Sequence, residues 1–190
     1  MDSRHELEHE KMESAKDKVI GAISETMDLY GLTRSAGKLY ATMYFEDEMT
    51  LDEMRQELSM SKPSMSTSVR KLQEIEMVKK VFRRGSRKDV YVAEKNFFRS
   101  FMVFYCQMWD REVKMNMEAI HQAQKELSEL IEDTNTSKET RQEAQEHYDL
   151  LERSKTYYLW LEKLVASIRN EEIFEFLPKP DQNELNHKNS

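Results

Sequence analysis

Five groups of residues in this sequence have types and spacings that could do chemistry. His5, Glu6 and His9 reproduce H-E-x-x-H, in which two histidines on one helical face hold zinc and the glutamate activates a water. Asp133, Asn135 and Ser137 open like a calcium-binding loop. Cys106, the only cysteine, could act as a redox sensor. Phe97, Phe98, Phe101, Phe104, Tyr105 and Trp109 crowd one stretch, and Tyr40 and Tyr44 form a similar pair. Ring faces so gathered either bury large apolar area or cage a quaternary ammonium ion by cation–π attraction. The fifth group is basic. Between Ser61 and Lys95 there are ten Lys and Arg against four Asp and Glu, in a chain whose net charge is −7. Such an island in an acidic protein reads as a localised face for a polyanion.

The first three groups lack the surroundings their chemistry needs. The histidine motif lies in a polar segment with no apolar flank to build a cleft, and His121, His147 and His187 offer no third ligand. It reads as a solvated terminus. In the calcium-like run, Lys138 stands where the turn glycine belongs and Ala144 where the bidentate glutamate belongs, so the segment reads as an inter-helix turn. No basic neighbour activates Cys106, and a lone cysteine excludes both an internal disulfide and a Cys-based zinc site. A buried structural thiol is expected. With no Gly-rich phosphate loop, nucleophile elbow or carboxylate dyad, the expectation is a protein that is not an enzyme and holds no metal or cofactor.

The elements that must position the remaining two groups are mostly helices. The chain has 4 Gly and 3 Pro among 190 residues, and none between Ser86 and Leu177. No apolar run reaches the roughly 18 residues of a membrane span, and the N-terminal stretch has no apolar core for a signal peptide. A cytoplasmic protein is expected. Met12, Ala15, Val19, Ile23, Met27 and Tyr30 step by three or four, predicting an amphipathic helix closed by Gly31. Ser35 is the expected cap of a second helix carrying Leu39, Met43 and Tyr44 and ending near Glu46. Thr50 and Glu53 form a capping box for a short helix that buries Leu51, Met54 and Leu58. After a tight turn over 59–61, Ser61 caps the next helix, with Pro63 in its first turn. Short β-prone runs, Val78 to Arg83 and Val90 to Val92, then flank Gly85 and Ser86 as a hairpin. Asn96 caps a helix from Phe97 to about Ile131, and a last helix runs from about Lys138 to Asn170.

Three short helices, then a hairpin, with the basic island on the last helix and the hairpin, predict a winged helix-turn-helix. The fold class expected is mainly α: a winged DNA-binding domain over 1–95 and a long antiparallel helical dimerisation and effector domain over 96–178. The recognition helix falls at about 61–75, the wing at about 78–93, and 179–190 form a disordered tail. Met65, Val69 and Leu72 face inward, so Ser64, Ser66, Thr67, Arg70 and Lys71 face outward. Small hydroxyl residues allow close groove approach and Arg can contact a guanine edge in bidentate fashion. Lys62, Lys71, Arg83, Arg84, Arg87 and Lys88 meet phosphates. The alternative is a basic-domain coiled-coil protein that docks an acidic partner. The two long helices cannot bury their apolar stripes on a small winged domain, so they are expected to pair with a second copy. Tyr40, Tyr44, Phe101, Tyr105 and Trp109 are the rings assigned to the cage.

The residues Gly31 through Phe45, Thr50 through Glu53, Ser61 through Leu72, and the Arg83-to-Lys88 wing resemble the GbsR-type branch of MarR-like transcriptional repressors. The likeness runs in order from residue 12 to residue 177. It implies a dimeric, choline-sensing repressor of genes for glycine betaine synthesis or uptake, or a related regulator with a different effector or none. Choline would then sit in an aromatic box between the winged and helical domains and relieve repression.

Overall fold

A computed structural model describes residues 2–84 and 88–180. The order is α1 (Asp2–Thr26), a 3-10 turn (Met27–Tyr30), α2 (Arg34–Phe45), β1 (Met49–Thr50), α3 (Leu51–Leu58), α4 (Lys62–Glu74), β2 (Val78–Val81), β3 (Val90–Ala93), α5 (Phe97–Glu132), α6 (Lys138–Arg169) and α7 (Ile173–Phe176). The chain forms two compact units that divide inside α5, after Phe104. The expected boundary at 95/96 is where α5 begins. The first turns of that helix belong to the winged unit because Phe104 is buried against Tyr30, with ring centroids 4.7 Å apart.

In the first unit, helix α1 begins well ahead of the Met12 start that the apolar spacing suggested. Its N-terminal half is exposed and held by local pairs such as Arg4 with Glu8 at 3.2 Å and Lys16 with Glu13 at 3.0 Å. Charged helix formers propagate a helix without needing a buried face. The C-terminal part of α1 lies close against α2. A Cβ at Gly37 would stand 2.8 Å from the Ser24 carbonyl oxygen and 2.9 Å from the Met27 Cβ, so only glycine permits this approach. Gly31 supplies the left-handed residue (φ 65°) that ends the 3-10 turn, as its position suggested. The cap of α2 is Thr33, whose hydroxyl accepts from the Ala36 amide at 3.3 Å, and not Ser35. A cap needs extended backbone, which Thr33 has, whereas Ser35 is already inside the helix.

The remaining elements of this unit follow their sequence signals closely. Thr50 and Glu53 complete the capping box: the Glu53 amide donates to the Thr50 hydroxyl and the Thr50 amide to the Glu53 carboxylate at 2.7 Å. Left-handed Ser59 ends α3, and Ser61 caps α4 with Pro63 in the first turn. The three strands form an antiparallel sheet in the order β1-β3-β2. Strand β1 was not expected, because two residues cannot show alternation. Strand β2 ends at Val81, opposite Val90, short of the expected Arg83. Leu39, Tyr40, Met43, Met54, Met65, Val69, Leu72, Met77 and Val78 make one core. Burying each such side chain contributes about 1.5–3 kcal/mol.

The second unit is a helical hairpin. Ser137 caps α6 through the Thr140 amide at 3.1 Å, and the Asp133 carboxylate accepts from the Asn135 amide at 2.9 Å, closing the turn. The Cys106 thiol faces the Val165 carbonyl at 3.7 Å, the Tyr157 hydroxyl donates to Glu112 at 3.3 Å, and the Gln124 amide donates to Glu152 at 2.9 Å. Positions that rise along α5 meet positions that fall along α6, so the pair is antiparallel. Leu161, Val165 and Ile168 line the buried side of α6. The short helix α7 before Pro178 was not foreseen. Residues 181–190, most of the predicted tail, lie outside the described residues. Among the described residues no helix is long and apolar enough to cross a membrane.

Candidate nucleic-acid interface

The chemistry of the winged unit is on one face of α4. Met65, Ser68, Val69 and Leu72 are buried, which turns Lys62, Ser64, Ser66, Thr67, Arg70 and Lys71 outward, and all six are exposed. The helix starts cleanly because the Ser61 hydroxyl accepts from the Ser64 amide at 3.4 Å and also donates to the Ser64 hydroxyl at 3.0 Å. Ser64 is therefore partly committed to the cap, while Ser66 and Thr67 are not. Lys71 pairs with Glu74 at 3.3 Å on the open surface, a contact worth little in water. Arg70 makes no ion pair among the described residues.

The wing is held by charge as well as by its ladder. Lys80 and Asp89 pair across the hairpin at 2.8 Å, and that hydrogen bond raises the Lys80 ammonium above its ordinary range. Lys79 reaches Glu94 at 3.0 Å. Burial alone would raise the Glu94 carboxyl, but the Asn96 amide and Lys79 outweigh it and keep it low. Arg83 donates from Nε to Glu48 at 2.8 Å, and Lys88 reaches Asp52 at 3.4 Å. Two of the cations expected to meet phosphate are thus already matched to carboxylates of the β1 segment and α3. Sequence reading missed Glu48 and Asp52; the acidic run Glu46, Asp47, Glu48 just before the basic island was the available signal. Arg84 is exposed, and Arg87 lies outside the described residues.

The aromatic residues separate into different environments. Tyr40 is fully buried and its hydroxyl donates to the Glu94 carbonyl at 2.7 Å. Burial pushes that phenol up to about 12. Its place on α2, one turn from the half-buried Tyr44, gave the two the same spacing signal, but only packing shows which ring the sheet covers. Tyr44 stacks on Phe97 with centroids 5.1 Å apart, and Phe101 is 43% exposed. In the second unit, Tyr105 and Trp109 touch at 5.2 Å with a 42° tilt. A cation held between two rings lies within about 6 Å of each centroid. Rings already in contact leave no such gap between them. The Cys106 thiol is buried, and burial raises its pKa. His5 and His9 are exposed on α1, and no three His, Cys, Asp or Glu side chains among the described residues are grouped to hold a metal.

Residues 97–175 match the C-terminal helical hairpin of GbsR family transcriptional regulators. Over 167 residues the sequence is 54% identical to the HTH-type transcriptional repressor GbsR of Bacillus subtilis (strain 168), covering 88% of this chain and 93% of that one. The chain belongs to the GbsR family of transcriptional regulators. A second relative is the HTH-type transcriptional repressor OpcR of the same organism, 29% identical over 169 residues, 88% of this chain and 91% of that one. Membership in the GbsR family makes the chain a transcriptional regulator, for which DNA is the implied partner.

Proposed function

We propose that this protein is a repressor that binds operator DNA as a homodimer and releases it in response to a quaternary ammonium ligand, choline. The observation that carries the DNA half is the outward face of α4. Its hydroxyls lie near a capped helix N-terminus, with Arg70, in no ion pair among the described residues, further along the same face. In this reading α4 enters the major groove, Arg70 reads a base edge, and Lys62, Lys71, Arg84, Arg87 and Lys88 meet phosphates. The names of both relatives as repressors support the direction of control. Such a protein works in the cytoplasm.

Dimerisation is supported by what the helical hairpin leaves uncovered. Met115, Leu150 and Trp160 are each more than half exposed, although large apolar side chains gain by burial. Choline is the proposed effector, and Tyr44, Phe101, Tyr105 and Trp109 supply the ring faces offered to it. The genes controlled are those for glycine betaine synthesis or uptake. The ligand shifts the repressor only by its differential affinity for the free and operator-bound arrangements.

Two titrations test the reading. Choline should quench tryptophan fluorescence saturably where its neutral isostere does not, and Trp109→Phe should remove most of the signal. Equal choline affinity of free and DNA-bound protein would refute the release mechanism. Arg70→Ala should cost about 1–3 kcal/mol of operator binding and relax specificity, whereas Arg84→Ala should weaken operator and random duplex alike. Equal losses on both duplexes for Arg70→Ala would show that α4 is not the reading helix.

A further inference from the structure

Phe82 is 92% exposed, more than any other large apolar side chain among the described residues. It lies one position beyond the last ladder pair of the wing, Val81 with Val90, so no cross-strand neighbour covers it. Among the described residues it makes no ring contact, and no core residue packs on it. Its neighbours on either side are anchored: Lys80 to Asp89 at 2.8 Å and Arg83 to Glu48 at 2.8 Å. Pairs this open to water add little, but they leave the Phe82 ring itself standing clear in solvent. The same hairpin carries Lys80, Arg83, Arg84 and Lys88, three of them paired with single carboxylates, which leaves a small cationic excess suited to a polyanion that also offers an apolar slot.

We propose that Phe82 is a DNA wedge: its ring enters the minor groove beside the major groove occupied by α4 and partly unstacks a flexible base step. The proposal rests on the DNA-binding reading given above. A segment flanking a groove-seated helix can reach the adjacent minor groove, as a homeodomain's N-terminal arm does. Minor-groove proteins insert Phe, Leu or Ile between base steps while flanking cations hold the phosphates, and pyrimidine–purine steps open most easily. An anionic membrane shares the charge but suits this surface less. Interfacial binding needs a broad apolar face, and here a single exposed ring stands alone on a polar hairpin.

The test uses the full chain and a duplex of about 30 base pairs with one central TpA step, its adenine replaced by fluorescent 2-aminopurine; a second duplex carries ApA there. The native protein should raise the 2-aminopurine emission and bind the TpA duplex about threefold tighter than the ApA duplex. Phe82→Ala, which disturbs no packing, should lose the emission rise and the preference and bind about tenfold more weakly. Phe82→Leu should keep both as an apolar wedge. Binding by the native chain with no rise in emission overturns the wedge and leaves the DNA reading standing. Failure to bind either duplex overturns both. Phe82-dependent binding to phosphatidylserine vesicles, with duplex affinity unchanged in Phe82→Ala, assigns the ring to a membrane and also overturns the wedge.

Discussion

Replacing Glu48 by glutamine should tighten this protein's grip on DNA without harming its fold. Glu48 accepts from the Arg83 Nε at 2.8 Å, and the Arg83 side chain is still 61% exposed in that pair. An ion pair so open to water contributes about 0–1 kcal/mol, so Glu48→Gln should shift the unfolding midpoint little. Its electrostatic consequence at the DNA surface is larger in kind. A carboxylate about 6–10 Å from a phosphate repels it by roughly 0.4–0.7 kcal/mol in water, which is about a two- to threefold effect on affinity. Arg83, no longer matched to a carboxylate, also becomes available to displace a counterion. The slope of log K against log salt should therefore steepen by about 0.9, the increment for one phosphate contact. Anisotropy of a labelled random duplex, followed over a salt series from about 0.05 to 0.2 M, reads both quantities. Weaker binding with an unchanged slope would refute the reasoning and show that Glu48 serves to aim Arg83.

Three further outcomes test the packing. Tyr40→Phe should cost about 1–2 kcal/mol in urea unfolding, since the buried Glu94 carbonyl loses its 2.7 Å donor. Because burial pushes the folded phenol up to about 12 from the ordinary 10.0 of the unfolded chain, the native chain should lose stability as pH rises between those values. Tyr40→Phe should be spared that loss, and an identical pH profile for both proteins would count against a buried Tyr40. Thr50→Ala breaks the capping box and should cost about 0.5–2 kcal/mol. The Thr50 amide and hydroxyl keep the Glu53 carboxyl low, so this contribution is present above the ordinary carboxylate range and fades in acid. A Thr50→Ala deficit that persisted undiminished in acid would contradict that assignment. Cys106 should react with a disulfide reagent only on unfolding, because burial disfavours its thiolate; rapid labelling of native protein would show the hairpin opening there.

Much of the winged unit was legible because its signals are local. The Thr50 and Glu53 box, Ser61 with Pro63, and the spacing of Met65, Val69 and Leu72 are each satisfied within one or two turns of chain. Once the inward side of α4 was set, the outward set from Lys62 to Lys71 followed by geometry. The long helices were equally plain, because a stretch without glycine or proline and with polar breaks only at 133–137 has few other ways to run. Even the expectation that Cys106 is buried needed only its apolar company.

What the sequence could not settle depends on neighbours far along the chain. Tyr40 and Tyr44 carry the same spacing signal, yet the Glu94 carbonyl, 54 residues on, makes Tyr40 core while Tyr44 stacks on Phe97. Strand β1 exists only because β3 comes to pair with it, and Arg83 is matched to Glu48 across 35 residues. Local periodicity fixes which side of a helix is apolar. Only tertiary packing decides which of two like rings is covered, which cation is already matched, and that Phe82 is left bare just beyond the last ladder pair.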